Sequence, residues 1–257
     1  MTDFTTILYD VTDDVATITL NRPEVMNALN RTMRAEITTA IARAETEARC
    51  LVLTGTGRAF CSGQDLADAG GAPIDLGRIL REEYEPMLAA LTGCRLPTIA
   101  AVNGSAAGAG ANLALGADVV IATESARFIQ AFTKIGLIPD AGGTYWLPRQ
   151  VGFARAMGTM LFAEPVTARQ AADWGMIWDC VADADFAAHV TARARHLAQG
   201  PGLAYAAIKR ALREGHTDLA EQLALEAELQ AACGQTADFH EGVMAFLQKR
   251  PPRFTGA

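Results

Sequence analysis

The chain reads as an α/β protein whose last part turns helical. Three observations carry that reading. Short apolar runs alternate with helix-spaced stretches through the first two-thirds, as strand–turn–helix units of about 40 to 50 residues. After Ala154 helical spacing dominates. Half of the 257 residues are hydrophobic, enough for a sizeable core.

The elements follow in order. Residues 7–10 and 15–20 alternate as two short strands, with Thr12-Asp13-Asp14 as the turn. Asn27-Ala-Leu-Asn30 leads into a helix over 31–47, apolar at Met33, Ile37 and Ile41. Residues 50–53 form a buried strand, and the glycine-punctuated stretch 55–63 follows. Residues 67–75 are small and polar and read as a mobile loop; 76–91 read as a helix. Residues 98–102 make a strand running into Asn103-Gly104, small residues from Ser105 open an apolar helix to Leu115, and 117–122 form another strand. The later helices are expected over 168–174, 185–199, 203–214, 219–233 and 237–248, punctuated by Pro165, Gly200-Pro201 and Gly215. They need a surface to pack on, their own core or another subunit.

Bulk properties exclude several classes. A net charge of −7 without a basic block argues against nucleic acid. No apolar run is long enough to cross a membrane, and the N-terminus lacks a signal pattern. Five scattered cysteines without C-x-x-C make no disulfide framework, so a reducing cytoplasm is expected. The histidines, His189, His196, His216 and His240, have no zinc-site spacing and read as helix-surface residues.

Chemistry concentrates in residues 128–149. Their middle is apolar except for Asp140, which follows Pro139 and precedes the tight Ala141-Gly142-Gly143 corner, where a helix can start. Asp140 has two readings: a helix N-cap, or a general base whose pKa is raised in an apolar pocket. Two further stretches, 59–63 and 104–110, put small side chains beside strand ends. A ligand can there approach main-chain N–H groups, and two such groups aimed at one point would bind a carbonyl oxygen that becomes negative. Each stretch also has a plain reading: a turn at Ser62-Gly63, and close helix packing at Gly108-Ala-Gly110.

An ordered set of motifs then resembles the crotonase (enoyl-CoA hydratase/isomerase) superfamily along nearly the whole chain. The set comprises Leu20-Asn-Arg-Pro23 with Asn27-Ala-Leu29, Gly57-Arg-Ala-Phe-Cys-Ser-Gly-Gln-Asp-Leu66, Ala101-Val-Asn-Gly104 through Ala117-Asp118, Gly136-Leu-Ile-Pro139, Ala141-Gly-Gly-Thr144 and residues 241–250. Within it, residues 131–140 and Trp174-Gly-Met-Ile-Trp178 resemble the branch that isomerises the ring epoxide of phenylacetyl-CoA. The resemblance implies a spiral of ββα units over 1–195 and a helical trimerisation region over 196–257. It implies an acyl-CoA substrate, no cofactor beyond that CoA, no metal, and a homotrimer or dimer of trimers.

The N–H groups of Ser62 and Ala109 would hold the thioester carbonyl. CoA contacts would fall on Val25, Ala59, Cys61, Gly63, Gln64, Asp65 and Leu66, with Phe246 and Lys249 reaching a neighbour's CoA. Asn112, Phe132 and Leu137 would sit at the acyl pocket. Hydratases of the family place two glutamates around a water, and those positions here hold Asn112 and Phe132. The family's isomerases keep one acid elsewhere, where Asp140 stands. The rivals are a short-chain dehydrogenase, from Gly104-x-x-x-Gly108-x-Gly110 and Tyr205-x-x-x-Lys209, and a catalytically silent CoA-ester-binding protein. An α/β-hydrolase lacks its Gly-x-Ser-x-Gly elbow here.

Overall fold

The structure is a computed structural model that describes residues 4–68, 75–215 and 218–256. The core of the expected 67–75 loop and His216 lie outside the described residues. Two sheets carry the fold. The strands are β1 (Ile7–Thr12), β2 (Val15–Leu20), β3 (Cys50–Gly55), β4 (Ala59–Cys61), β5 (Thr98–Val102), β6 (Ser105–Ala107), β7 (Val119–Thr123), β8 (Arg127–Ile129), β9 (Val166–Thr167) and β10 (Asp179–Val181). The larger sheet runs β1-β2-β3-β5-β7-β10, and a smaller one runs β4-β6-β8-β9.

The antiparallel β1–β2 hairpin turns through Asp13 and Asp14, with φ of 53° and 61°. Two left-handed residues make a turn whose twist suits a hairpin, and aspartate tolerates that region better than most side chains. From β2 onward the large sheet is parallel, and both faces are covered, which is why residues 50–53 of β3 and 99–102 of β5 are continuously apolar. Leu51, Leu53, Ala100 and Val102 join the main core with Met33, Ile37 and Ile41 of α1 (Arg31–Glu47). Cys50, Val52, Ile99 and Ala101 point the other way, onto Val190, Ala194 and Ala198 of the helix Phe186–Ala198. Asn30 caps α1 by accepting the Met33 N–H at 2.8 Å.

A single helical run spans 76–93, as α2 (Leu76–Ile79), a π turn (Leu80–Tyr84) and α3 (Glu85–Gly93). The π turn ends two residues before Pro86, whose ring lacks an N–H and crowds the carbonyl one turn back; a wider turn relieves both. Then follow α4 (Ala109–Leu115), α5 (Gly143–Val151), α6 (Phe153–Phe162), α7 (Ala168–Asp173), α8 (Phe186–Ala198), α9 (Gly202–Arg213), α10 (Leu219–Cys233) and α11 (Ala237–Leu247). Asp118 latches α9 to the sheet by accepting Lys209 Nζ at 2.7 Å and Arg213 Nη2 at 2.6 Å.

One expectation needs correction. The helix expected from Ser105 begins only at Ala109, because Ser105–Ala107 pairs with β4 and β8. The chain after Ala154 also contributes β9 and β10, and the glycine-punctuated stretch after β3 contains β4.

Candidate active site

Asp140 stands at a strained corner. Ala141 and Gly142 both have positive φ, 47° and 82°, and Gly142, not Asp140, is the N-cap of α5. Asp140 contributes only its backbone carbonyl, which accepts the Gly143 N–H at 2.9 Å. The N-cap reading of its carboxylate is therefore wrong. Oδ1 is buried and has no hydrogen-bond partner among the described residues. Burial pushes the carboxyl above the usual carboxylate range to about 6, opposed only by a bond from the residue's own N–H.

Asn112 holds this corner in place. Its Nδ2 donates to the Asp140 carbonyl at 2.7 Å, and its Oδ1 accepts from Gln130 Nε2 at 2.8 Å. Gly143 leaves the room, since a Cβ there would lie 2.4 Å from Asn112 Nδ2. With 0 % exposure, Asn112 supports the pocket and does not line it, contrary to the sequence reading. Phe132 is buried as well, and a Cβ on Gly108 would meet its ring at 3.7 Å. Half-buried Leu137 donates its N–H to the Phe132 carbonyl at 3.1 Å. An apolar ring thus sits beside the start of α4, on the same short turn that leads to Asp140.

The two small-residue stretches do meet. Gly63, with φ of 95°, packs so closely on the second stretch that a Cβ would lie 2.8 Å from the Ala107 carbonyl oxygen and 3.3 Å from the Ala109 nitrogen. The Gly108 N–H is spent on the Ile129 carbonyl at 2.8 Å. Ala109 opens α4, so no carbonyl one turn back takes its N–H. Ser62 is a correction: its N–H donates to the Met26 carbonyl at 3.0 Å, and its Oγ to Val25 at 3.2 Å. Gln64 is differently placed. It bridges Leu29 in a parallel pairing, in which the Leu29 N–H donates to Gly63 at 2.8 Å and the Asp65 N–H to Leu29 at 3.1 Å. Backbone groups alternate along such a pairing, so the Gln64 N–H faces away from Leu29, on the side where the loop meets Ala107 and Ala109.

Of the expected CoA contacts, Val25 and Leu66 are exposed, Leu66 by 56 %. Ala59 and Cys61 are corrections: both are buried, and the Cys61 side chain packs where a Cβ on Gly110 would go, 2.6 Å from Sγ. Asp65 pairs with Arg22 at 2.8 Å and braces the loop. Phe246, 83 % exposed, and Lys249 lie at the far end of the chain, in and just after α11.

Sequence reading missed a buried network behind Gln64. Arg34, 1 % exposed, donates through Nη1 to the Leu29 carbonyl at 2.6 Å and to Gln64 Oε1 at 3.0 Å, and pairs with Glu83 at 2.5 Å. The Tyr84 hydroxyl donates to the same Gln64 oxygen at 2.7 Å. The available signal was a charge at 34 in helical register with Ile37 and Ile41. The dehydrogenase pair does not form a site either, because Lys209 is held by Asp118 and the Leu96 carbonyl.

A double-sheet fold in which two small-residue loops meet at Gly63 and Ala109, with a carboxylate on the corner that Asn112 holds, is the arrangement of the crotonase class of enzymes. The chain belongs to the enoyl-CoA hydratase/isomerase family, whose profile matches residues 10–257. It is 63 % identical to a "Probable enoyl-CoA hydratase" of Rhodobacter capsulatus, over 98 % of both chains. It is 49 % identical to the "1,2-epoxyphenylacetyl-CoA isomerase" of Escherichia coli, over 97 % of this chain and 98 % of that one. Among solved structures, a putative enoyl-CoA hydratase from Streptomyces coelicolor superposes with a TM-score of 0.93 at 37 % identity, covering 100 % of this chain and 96 % of the other.

Proposed function

We propose that the protein is a cytoplasmic acyl-CoA isomerase in which the N–H groups of Gln64 and Ala109 hold the thioester carbonyl and Asp140 moves the proton. The observation that carries this reading is a half-buried carboxylate whose Oδ1 is buried with no partner among the described residues, raised to about 6, on a corner that Asn112 clamps. A thioester makes its α-proton acidic, and two N–H groups on its oxygen stabilise the enolate; losing one such donor typically costs about 3 kcal/mol of transition-state stabilisation. One carboxylate can then take a proton from one carbon and return it at another.

Hydration needs a second acid and a positioned water. Phe132 brings an apolar ring to one of the two positions, and both polar arms of Asn112 at the other are already engaged. The R. capsulatus relative's name points to hydration, and these two residues argue against carrying that activity over. The E. coli relative supports the finer assignment: conversion of 2-(1,2-epoxy-1,2-dihydrophenyl)acetyl-CoA to the oxepin, with Asp140 shifting the proton next to the thioester as the small ring expands. The same lone carboxylate also suits a Δ3,Δ2-enoyl-CoA isomerase on linear or dehydroadipyl-type chains, the second reading.

The test is a side-by-side turnover screen with the ring epoxide of phenylacetyl-CoA, 3-enoyl-CoAs and crotonyl-CoA. Turnover of the epoxide, with negligible hydration of crotonyl-CoA, is expected. Hydration at a rate comparable to isomerisation overturns the reading, preference for 3-enoyl-CoA selects the second one, and binding without any turnover leaves a silent CoA-ester-binding protein.

A further inference from the structure

The Gln64 side chain does something its backbone role does not require. Its amide oxygen accepts two hydrogen bonds from buried donors, Arg34 Nη1 at 3.0 Å and the Tyr84 hydroxyl at 2.7 Å, while Nε2 donates to the Asp65 carbonyl at 3.1 Å. The same Arg34 Nη1 holds the Leu29 carbonyl, which also receives the Asp65 N–H. One guanidinium therefore ties both partners of the Leu29–Gln64 bridge. Glu83 neutralises it, and its charge lies 4.9 Å over the Tyr84 ring. Glu83 and Tyr84 are adjacent in sequence, and the π turn Leu80–Tyr84 brings both to the network. Burial, with a smaller push from the Asp140 charge, raises the Tyr84 phenol, so its hydroxyl keeps its proton and stays a donor.

We infer that Tyr84 and Arg34 are positioning residues that aim the Gln64 N–H at the substrate carbonyl by pinning the Gln64 side chain. The inference rests on the proposed function. Helix 76–93 thereby acts on the chemistry through the Gln64 side chain: a main-chain donor that directly follows the left-handed Gly63 has little stiffness of its own, and a fully bonded side chain supplies it.

The experiment uses Tyr84→Phe, which removes one hydrogen bond and keeps the ring, and Gln64→Met, which keeps the backbone N–H and removes the acceptor. Two readouts are needed. One is the absorption of bound dimethylaminocinnamoyl-CoA, a conjugated thioester whose band moves to the red when its carbonyl is polarised by hydrogen bonds. The other is isomerase kcat against KM. The wild type shifts the probe strongly. Both variants are expected to bind the probe with unchanged affinity, to shift it less, and to lose about tenfold in kcat at constant KM, a fraction of the roughly 10² for a whole missing donor. A full red shift and full kcat in folded Tyr84→Phe and Gln64→Met overturn the positioning role. No red shift in the wild type overturns the oxyanion reading itself, so the two failures are told apart. A rise in KM alone would assign the network to substrate binding and also overturn the inference.

Discussion

Burial lifts the Asp140 carboxyl above the ordinary carboxylate range, and two measurements test whether it acts as the base. Asp140→Asn keeps size and loses basicity, so isomerase kcat should fall by about 10² to 10⁴, with near-normal CoA-ester affinity. The sign of the stability change is also fixed. In the unfolded chain the carboxyl titrates near the ordinary value of about 3.9, and in the fold near 6, because burial penalises the charge. Ionisation therefore costs stability above pH 6, and the cost vanishes below the unfolded value. Asp140→Asn should raise stability by about 1 to 2 kcal/mol at pH 7, a figure discounted for partial solvent access, with the gain fading toward pH 4. A retained rate would remove Asp140 from the mechanism, and a loss of stability at pH 7 would contradict the raised carboxyl. The wild-type rate should also rise with pH through about 6, as the base deprotonates; a flat profile from pH 5 to 8 contradicts this. Sequence isolated Asp140 as the one acid in an apolar stretch but left cap and base open. The placement of Gly142 as the N-cap removes the cap reading and leaves the base as the proposal.

The start of α4 is where an element meets chemistry. Proline is tolerated at the first position of a helix, because the N–H it lacks has no intrahelical partner there. Ala109→Pro should therefore delete one oxyanion donor at modest cost to folding, and turnover should drop by about 10² to 10³. An unchanged rate in the folded variant would place the thioester carbonyl elsewhere. The long elements were legible in the sequence: the spacing of Met33, Ile37 and Ile41 marks α1, and the run 98–102 marks β5. Strands of two or three residues were not, because β4, β6, β8 and β9 are too short for a period and exist through their pairing. The same limit explains Ser62. A small residue beside a glycine looks like a donor in one dimension, whereas the direction of each N–H follows from pairing with Met26 and Leu29, more than thirty residues upstream.

The C-terminal helices leave apolar surface that nothing among the described residues covers. No residue of α9 is buried, and Leu212 of α9, Leu219 of α10, and Phe246 and Leu247 of α11 are exposed, as are Phe153 and Phe162 of α6. Residues of this kind scattered singly need no explanation; gathered on successive helices they are the pattern expected of a face that packs on another subunit, which is the proposal here. The expectation is a trimer or dimer of trimers of the 27.2 kDa chain, measured by light scattering. Assembly would also place the Lys249 ammonium, solvent-facing at the end of α11, over a neighbour's CoA phosphates. That arrangement can be tested by complementation. Lys249→Ala alone should raise the KM for the CoA ester by about tenfold, the worth of one charge-assisted hydrogen bond. Asp140→Asn alone should be nearly inactive. Co-assembled, an Asp140→Asn subunit can lend its Lys249 to a neighbour that keeps its own Asp140, so part of the sites should recover wild-type kcat and KM together. If Lys249 serves only its own chain, no mixed site is complete and the mixture shows only the high KM of Lys249→Ala. A fully active monomer would contradict the assembly and the shared site alike.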